Sequence, residues 1–233
     1  LSWNDFLKGN TVMRKLVRNA LVAGAATTAA VSLAGTPAFA GPGTWNVTPT
    51  STIFSATSTN PTLTNPRNSA SLTCTSVTAS GSTVATSLND AGFVHAISPE
   101  VGHIDVPDTV ANVISSSWTG CRGPINLTFG VTHAGTWTLQ AISENSSTHV
   151  IKGRISGVHA TIAGTGCSAM VSGSARGTYD NSAKTLTISE PGGTSGGLIV
   201  SGASCLGILA NGDKPSFNAT FSVTGNIAVH RNH

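Results

Sequence analysis

The chain has 233 residues, of which 39% are hydrophobic and only 9% are charged, with a formal net charge of +3 at pH 7. All of that excess lies in residues 1–40, because residues 41–233 carry eight basic and eight acidic groups. A sparsely and evenly charged surface lacks the clustered Lys and Arg that neutralise phosphates, and this excludes nucleic acid as the expected partner.

The first forty residues have the layout of a secretory signal peptide. Basic residues after Met13 are followed by an uncharged apolar stretch over 20–35 and by Ala38-Phe39-Ala40, which places small residues at the cleavage positions. The apolar stretch is short and rich in Ala and Thr, which is unfavourable for spanning a hydrocarbon core of ~30 Å. We predict that residues 13–40 are a signal peptide, that residues 1–12 are an upstream extension foreign to the native protein, and that the mature chain is secreted without a transmembrane segment.

The remainder of the chain alternates between apolar and polar residues with a period of two, as half-buried strands do, and shows no sustained helical period. Gly, Asn, Asp and Pro separate these segments in turn-like clusters. Many short strands at this spacing predict an all-β antiparallel sandwich or barrel. The candidate strands are 69–80, 125–132, 157–164, 184–189 and 217–224, and the candidate turns are 64–69, 79–82, 180–184, 190–197 and 211–215.

A repeated spacing suggests that the mature chain is a tandem duplication. Three pairs of like residues are separated by 92, 92 and 93 positions: Trp45 and Trp137, Phe129 and Phe221, Cys74 and Cys167. We therefore predict two β halves, residues 41–134 and 135–233. No Pro-rich or charged linker divides them, so we expect them to pack as one unit.

Four cysteines remain after the leader, and an even number in an exported protein implies two disulfides. Three pairings are possible. We favour Cys74–Cys121 and Cys167–Cys205, because each would close a loop within one half and stabilise the fold by roughly 4 kcal/mol. The wide spacing, without a Cys-x-x-Cys pair, argues against a zinc site.

Several sequence contexts resemble a group of small secreted actinobacterial proteins with four cysteines. The resemblance lies in "GTWNV" at 43–47, "SLTCTS" around Cys74, "WTGCRGPINLTFGVT" around Cys121, and the contexts of Cys167 and Cys205. It covers nearly all of the chain after the leader and implies export and two disulfides. That group has no assigned activity, so the resemblance implies no catalytic residues. This chain departs from the group by a longer, His-bearing segment near 89–108.

The segment "HAISPEVGHID" contains the densest cluster of titratable residues, namely His95, Glu100, His103 and Asp105. Imidazole and carboxylate groups together suit zinc or another first-row metal, which makes the cluster a candidate metal or catalytic site. Its spacing matches no helical metalloprotease motif and its prolines indicate a loop, so a polar surface loop is the alternative. The remaining histidines considered, which lie at strand ends or on polar faces, are expected to be solvated: His133, His149 and His159.

Three tryptophans, Trp45, Trp118 and Trp137, are candidates for stacking on a sugar ring. Each stands in a strand-like segment beside small residues, where packing into the core is the alternative. The chain has no nucleophile elbow and no phosphate loop, and we expect no cofactor.

These observations predict a secreted, disulfide-stabilised β protein with a non-enzymatic binding or structural role outside the cell or at its surface. Its partner would be an unidentified protein or glycan of the cell envelope. Two alternatives remain open. One is an exported metal-dependent or hydrolytic enzyme that uses the His95, Glu100, His103 and Asp105 cluster. The other is a carrier of apolar ligands, which would require an enclosed cavity of ~300 Å³ or more.

Overall fold

The structure, a computed structural model, describes residues 45–84 and 107–231. The described residues form β-strands and two short 3₁₀ turns, which confirms the predicted all-β class. Within these ranges no helix has the length and apolar character needed to cross a membrane. The strands are β1 (Trp45–Thr48), β2 (Ile53–Thr59), β3 (Thr62–Asn65), β4 (Ala70–Thr73), β5 (Ser76–Thr83), β6 (Asp108–Thr119), β7 (Phe129–His133), β8 (Trp137–Glu144), β9 (Val150–Gly164), β10 (Cys167–Asp180), β11 (Thr185–Glu190), β12 (Leu198–Ser204), β13 (Ser216–Val223) and β14 (Ala228–Arg231).

Eight antiparallel strands close into a barrel in the order β2, β5, β6, β8, β9, β10, β11 and β13, with β13 returning to β2. The predicted barrel-like architecture is therefore confirmed. Strands from before and after residue 134 pair directly, β6 with β8 and β2 with β13, so closure needs both parts of the chain. Trp45 lies in β1, outside the barrel wall, whereas Trp137 is the first residue of the barrel strand β8. The duplication stays a prediction.

One end of the barrel, which we call the disulfide end, carries the additional strands and both disulfides. There β3 and β4 form a hairpin attached to β13, while β7 pairs with β9 and β12 pairs with β10. Cys74 bonds to Cys121 and Cys167 bonds to Cys205, the pairing that the sequence favours. Cys74 precedes β5 and Cys121 follows β6, whereas Cys167 is the first residue of β10 and Cys205 follows β12.

The opposite end is covered by a two-stranded antiparallel sheet, β1 paired with β14, which we call the lid. Trp45 is paired with Arg231 and Thr48 with Ala228, so strands far apart in sequence form this element. Val47 and Val229 are buried and face the interior between the barrel strands. The lid therefore forms part of the core.

The barrel wall follows the alternation that strands require, with apolar residues on its inner side. Many of those inward residues are small, and alanine occupies inner positions on six of the eight barrel strands. Four of these alanines are Ala56, Ala79, Ala141 and Ala175. Because small side chains cannot fill an eight-stranded barrel, we expect unfilled space inside.

Candidate functional site

The barrel interior contains two apolar cavities. The first, of ≈ 110 Å³, lies at the lid end and is lined by all eight barrel strands and both lid strands. Small alanines lie beside bulkier side chains in its lining. Residues that line it include Val47, Phe54, Ala79, Val113, Ala141, Ile151 and Val229.

The second cavity, of ≈ 90 Å³, lies at the disulfide end. Its lining is rich in aromatic and branched side chains, several of them from the additional strands β3, β4, β7 and β12 rather than from the barrel alone. Residues that line it include Leu63, Leu72, Cys74, Trp118, Phe129, Val171, Leu198 and Phe217.

Three side chains, Trp137, Ile155 and Ile188, line both cavities and so form the partition between them. The indole of Trp137 is fixed, because its Nε1–H donates to the Ala134 carbonyl at 3.1 Å and its ring stacks on the His133 imidazole at 4.2 Å. The two isoleucines have no polar anchor and form the more adaptable part of the partition.

Each cavity is smaller than the ~300 Å³ that the carrier alternative requires for a ligand of ordinary size. Their volumes instead approach that of engineered apolar cavities of ~150 Å³, which stay dry and bind benzene or xenon. The structure thus limits any occupant of a single cavity to a molecule of about that size.

Two polar groups in the lining of the first cavity, the hydroxyls of Thr83 and Tyr179, already have protein partners. Thr83 Oγ1 accepts a hydrogen bond from the Thr52 N–H at 2.8 Å and donates to the Pro49 carbonyl at 3.0 Å. The Tyr179 hydroxyl donates to the Ile227 carbonyl at 2.8 Å. Burial, together with the nearby Asp180 charge, raises the pKa of Tyr179 to about 12. These groups are therefore committed to holding the lid end together.

A polar cluster also lies at the lid end, outside the cavity. Glu144 Oε1 is 3.3 Å from His149 Nδ1 and 3.4 Å from His230 Nδ1. Burial alone would raise the pKa of Glu144, but hydrogen bonds from the Arg231 N–H, His149 and His230 lower it below its usual value. From the sequence, His149 was expected to be solvated, and Glu144 and His230 were not recognised as candidates. No spacing signal could reveal the cluster, because only the folding of β14 against β8 brings His230 to Glu144.

The sequence suggested two groups of site residues, the candidate metal ligands and the candidate sugar-stacking tryptophans. His95, Glu100, His103 and Asp105 lie outside the described residues. Trp45 and Trp137 are buried, so neither has a free ring face for a sugar. Trp118 is half-buried and meets Phe217 edge-to-face with a centroid distance of 6.1 Å.

The histidines expected to be solvated also differ from one another. His159 is exposed as expected, whereas His133 is half-buried and hydrogen-bonded, which corrects that expectation. Ser116 Oγ lies 3.2 Å from His133 Nδ1, but His133 Nε2 lies 2.8 Å from the Gly135 carbonyl, where a triad would have a carboxylate. The Trp118 indole also donates to Ser116 Oγ, so we interpret this group as structural.

No protein-family model, curated protein or solved structure matches this chain. A function therefore has to be inferred from the geometry of the chain itself.

Proposed function

We propose that the protein is a secreted, non-enzymatic binding protein that holds a small apolar molecule inside its barrel. The observation that carries this proposal is the pair of adjoining apolar cavities inside the barrel. Export is supported by the signal-peptide layout of residues 13–40, and the two disulfides are compatible with an extracellular location.

The chemistry of the lining selects the ligand. A polar molecule entering the first cavity would lose its hydrogen bonds to water and find Thr83 and Tyr179 already bonded to the protein. An apolar molecule loses nothing of this kind and removes its own surface from water, at about 25 cal/mol per Å². The ligand class is therefore a small neutral hydrocarbon or an aromatic group.

The partition allows a somewhat larger ligand of the same chemistry. If Ile155 and Ile188 change rotamer, the two cavities become continuous along the barrel axis while Trp137 stays in place. Such a change costs less than displacing a hydrogen-bonded indole. The largest ligand that we propose for this interior is therefore an elongated apolar chain that occupies both cavities.

The test uses benzene as the probe and the chain 41–233 as the protein. We expect benzene to raise the thermal unfolding midpoint, because a ligand that binds only the folded state stabilises it by mass action. Ala141→Val fills the first cavity and Ala175→Val the second. We expect each variant to reduce the benzene-dependent shift, and the double variant to abolish it.

Ala183→Val is the matched control, because Ala183 is exposed in the turn after β10. It should retain the full shift. An unchanged midpoint with benzene, or a full shift in the double variant, would contradict the proposed cavity ligand. Export is tested independently by sequencing the amino terminus of protein recovered from culture medium, which we expect to begin at Gly41.

A further inference from the structure

Three metal-ligating side chains meet where the lid contacts the barrel wall. Glu144 is the last residue of β8, His149 lies in the turn before β9, and His230 lies in β14. One donor atom from each falls within 4.8 Å of the other two. The set therefore joins the wall, through Glu144 and His149, to the lid, through His230.

The two contacts of Glu144 Oε1 are long hydrogen bonds, and their lengths also match the separation of neighbouring ligand atoms around one metal ion. Charge-assisted N–H···O bonds are typically about 2.7–2.9 Å long. The two oxygen-to-nitrogen distances here are longer, at 3.3 and 3.4 Å. Tetrahedral zinc with bonds of about 2.0–2.1 Å places its ligand atoms roughly 3.3 Å apart, which both oxygen-to-nitrogen distances match. The two imidazole nitrogens lie within 4.8 Å of each other.

The carboxylate is oriented by the backbone of the lid. Its side chain is only 5% exposed, and its second oxygen, Oε2, accepts the Arg231 N–H at 2.6 Å. This contact leaves Oε1 directed at the two imidazoles. Outer hydrogen bonds of this kind fix the orientation of metal ligands and raise affinity.

One buried side chain, Asn181, holds the backbone at His149 and at Val229, the residue before His230. Its Nδ2 donates to the carbonyls of His149, at 3.0 Å, and Val229, at 2.8 Å. Its Oδ1 accepts the Val229 N–H at 2.8 Å, next to His230. The site is thus assembled by the fold before any ion arrives.

We propose that Glu144 Oε1, His149 Nδ1 and His230 Nδ1 bind one divalent first-row metal ion of the zinc type, which fastens the lid to the barrel wall. Two imidazoles and one carboxylate form a ligand set typical of zinc, and three protein ligands leave a fourth position open. Both imidazoles are more than half exposed, so an ion reaches them directly from solvent. This site is separate from the cavities and does not depend on their ligand.

The first experiment titrates zinc into the metal-free chain 41–233, made without a histidine tag, and measures binding by calorimetry. We expect one ion per chain. His149→Ala and His230→Ala should each weaken binding about tenfold or more, and Glu144→Gln should weaken it as well. The exposed His159 provides the matched control, and His159→Ala should bind as the wild type does.

Two further histidines, His95 and His103, lie outside the described residues, so the double variant His95→Ala/His103→Ala distinguishes the two possible sites. We expect it to bind zinc like the wild type. Loss of binding in this variant, with full binding in His149→Ala and His230→Ala, would overturn the proposal.

A second measurement addresses the lid itself. Zinc should slow hydrogen exchange of the Val229 amide and of the β1–β14 pairs in the wild type and leave them unchanged in His230→Ala. Zinc that binds at these residues without slowing exchange would overturn the inference that the ion fastens the lid.

Discussion

Glu190, at the end of β11, is a carboxylate that is 1% exposed. Its oxygens accept two backbone N–H groups, that of Arg176 at 2.7 Å and that of Gly197 at 2.5 Å. These bonds tie β10 to the loop that precedes β12. A side chain at Gly197 would collide with the Ser174 carbonyl oxygen, so the close approach also requires glycine there.

We predict that Glu190→Gln lowers the free energy of unfolding by about 1–3 kcal/mol, because the amide nitrogen would face a backbone donor and leave a buried group unpaired. Ser189→Ala, the adjacent exposed position, is the control and should change stability little. Urea unfolding followed by circular dichroism measures both. Equal midpoints for Glu190→Gln and the wild type would show that the carboxylate charge is dispensable.

At the scale of single elements, the β10–β11 hairpin holds the lid in place. The Ile227 carbonyl, just before β14, accepts both the Tyr179 hydroxyl at 2.8 Å and Lys184 Nζ at 2.9 Å. Asn181 in the same turn bonds to both backbone groups of Val229. The lid thus depends on polar contacts from one hairpin as well as on its own apolar face.

Tyr179 is the single tyrosine of the chain, so phenolate absorbance reports on this contact alone. We predict that it titrates near pH 12 in the folded protein, against an ordinary value of 10.0. A raised pKa means that the neutral hydroxyl stabilises the fold. That stability is complete below pH 10 and is lost as the pH rises towards 12.

Alkaline unfolding of the wild type and of Tyr179→Phe provides the comparison. The variant should be less stable at neutral pH and should lose less stability between pH 10 and 12. A native phenolate titration centred at pH 10 would mean that the hydroxyl is not shielded by the lid.

The sequence predicted β13 and β11 closely, at 217–224 and 184–189, but it failed where a glycine or a turn interrupts the pattern. Residues 79–82, expected to be a turn, lie within β5. Gly81 is needed there because a Cβ would collide with the Asn112 carbonyl and the Phe54 ring. Ile125, the first residue of the expected strand over 125–132, is 88% exposed in a 3₁₀ turn with φ of 54°. Neither the close backbone approach at Gly81 nor the positive φ of Ile125 can be recognised from an alternation of apolar and polar residues.

For the whole molecule, both disulfides lie at one end and the lid at the other, so the two ends are held by different means. We predict that replacing Cys74 and Cys121 by alanine costs roughly 4 kcal/mol of unfolding free energy, and that replacing Cys167 and Cys205 costs about the same. The loops closed, of 47 and 38 residues, are similar in length. Thermal unfolding under non-reducing conditions measures the loss.

The pairing itself provides a check on that prediction. Peptide mapping of the unreduced wild type should recover Cys74 with Cys121 and Cys167 with Cys205. A loss below 1 kcal/mol in either double variant would mean that the unfolded chain is already compact around that loop.

The all-β class and barrel-like shape were accessible from the sequence because alternation directly reports which side of a strand is buried. The cavities could not be predicted from the sequence, because alanines such as Ala79 and Ala141 are ordinary interior residues in any β protein. Their effect depends on which small residues face one another across a closed barrel. The cluster of Glu144, His149 and His230 was equally hidden, because it depends on β14 packing against the end of β8, a strand far from it in the chain.

The pairing of β1 with β14 also has a consequence in time. β1 is the first described strand to be synthesised and β14 the last, so Trp45 has no partner until Arg231 has been made. The eight barrel strands all lie between them in the chain. The lid therefore cannot form, and cannot cover that end of the barrel, until the final described strand has been synthesised.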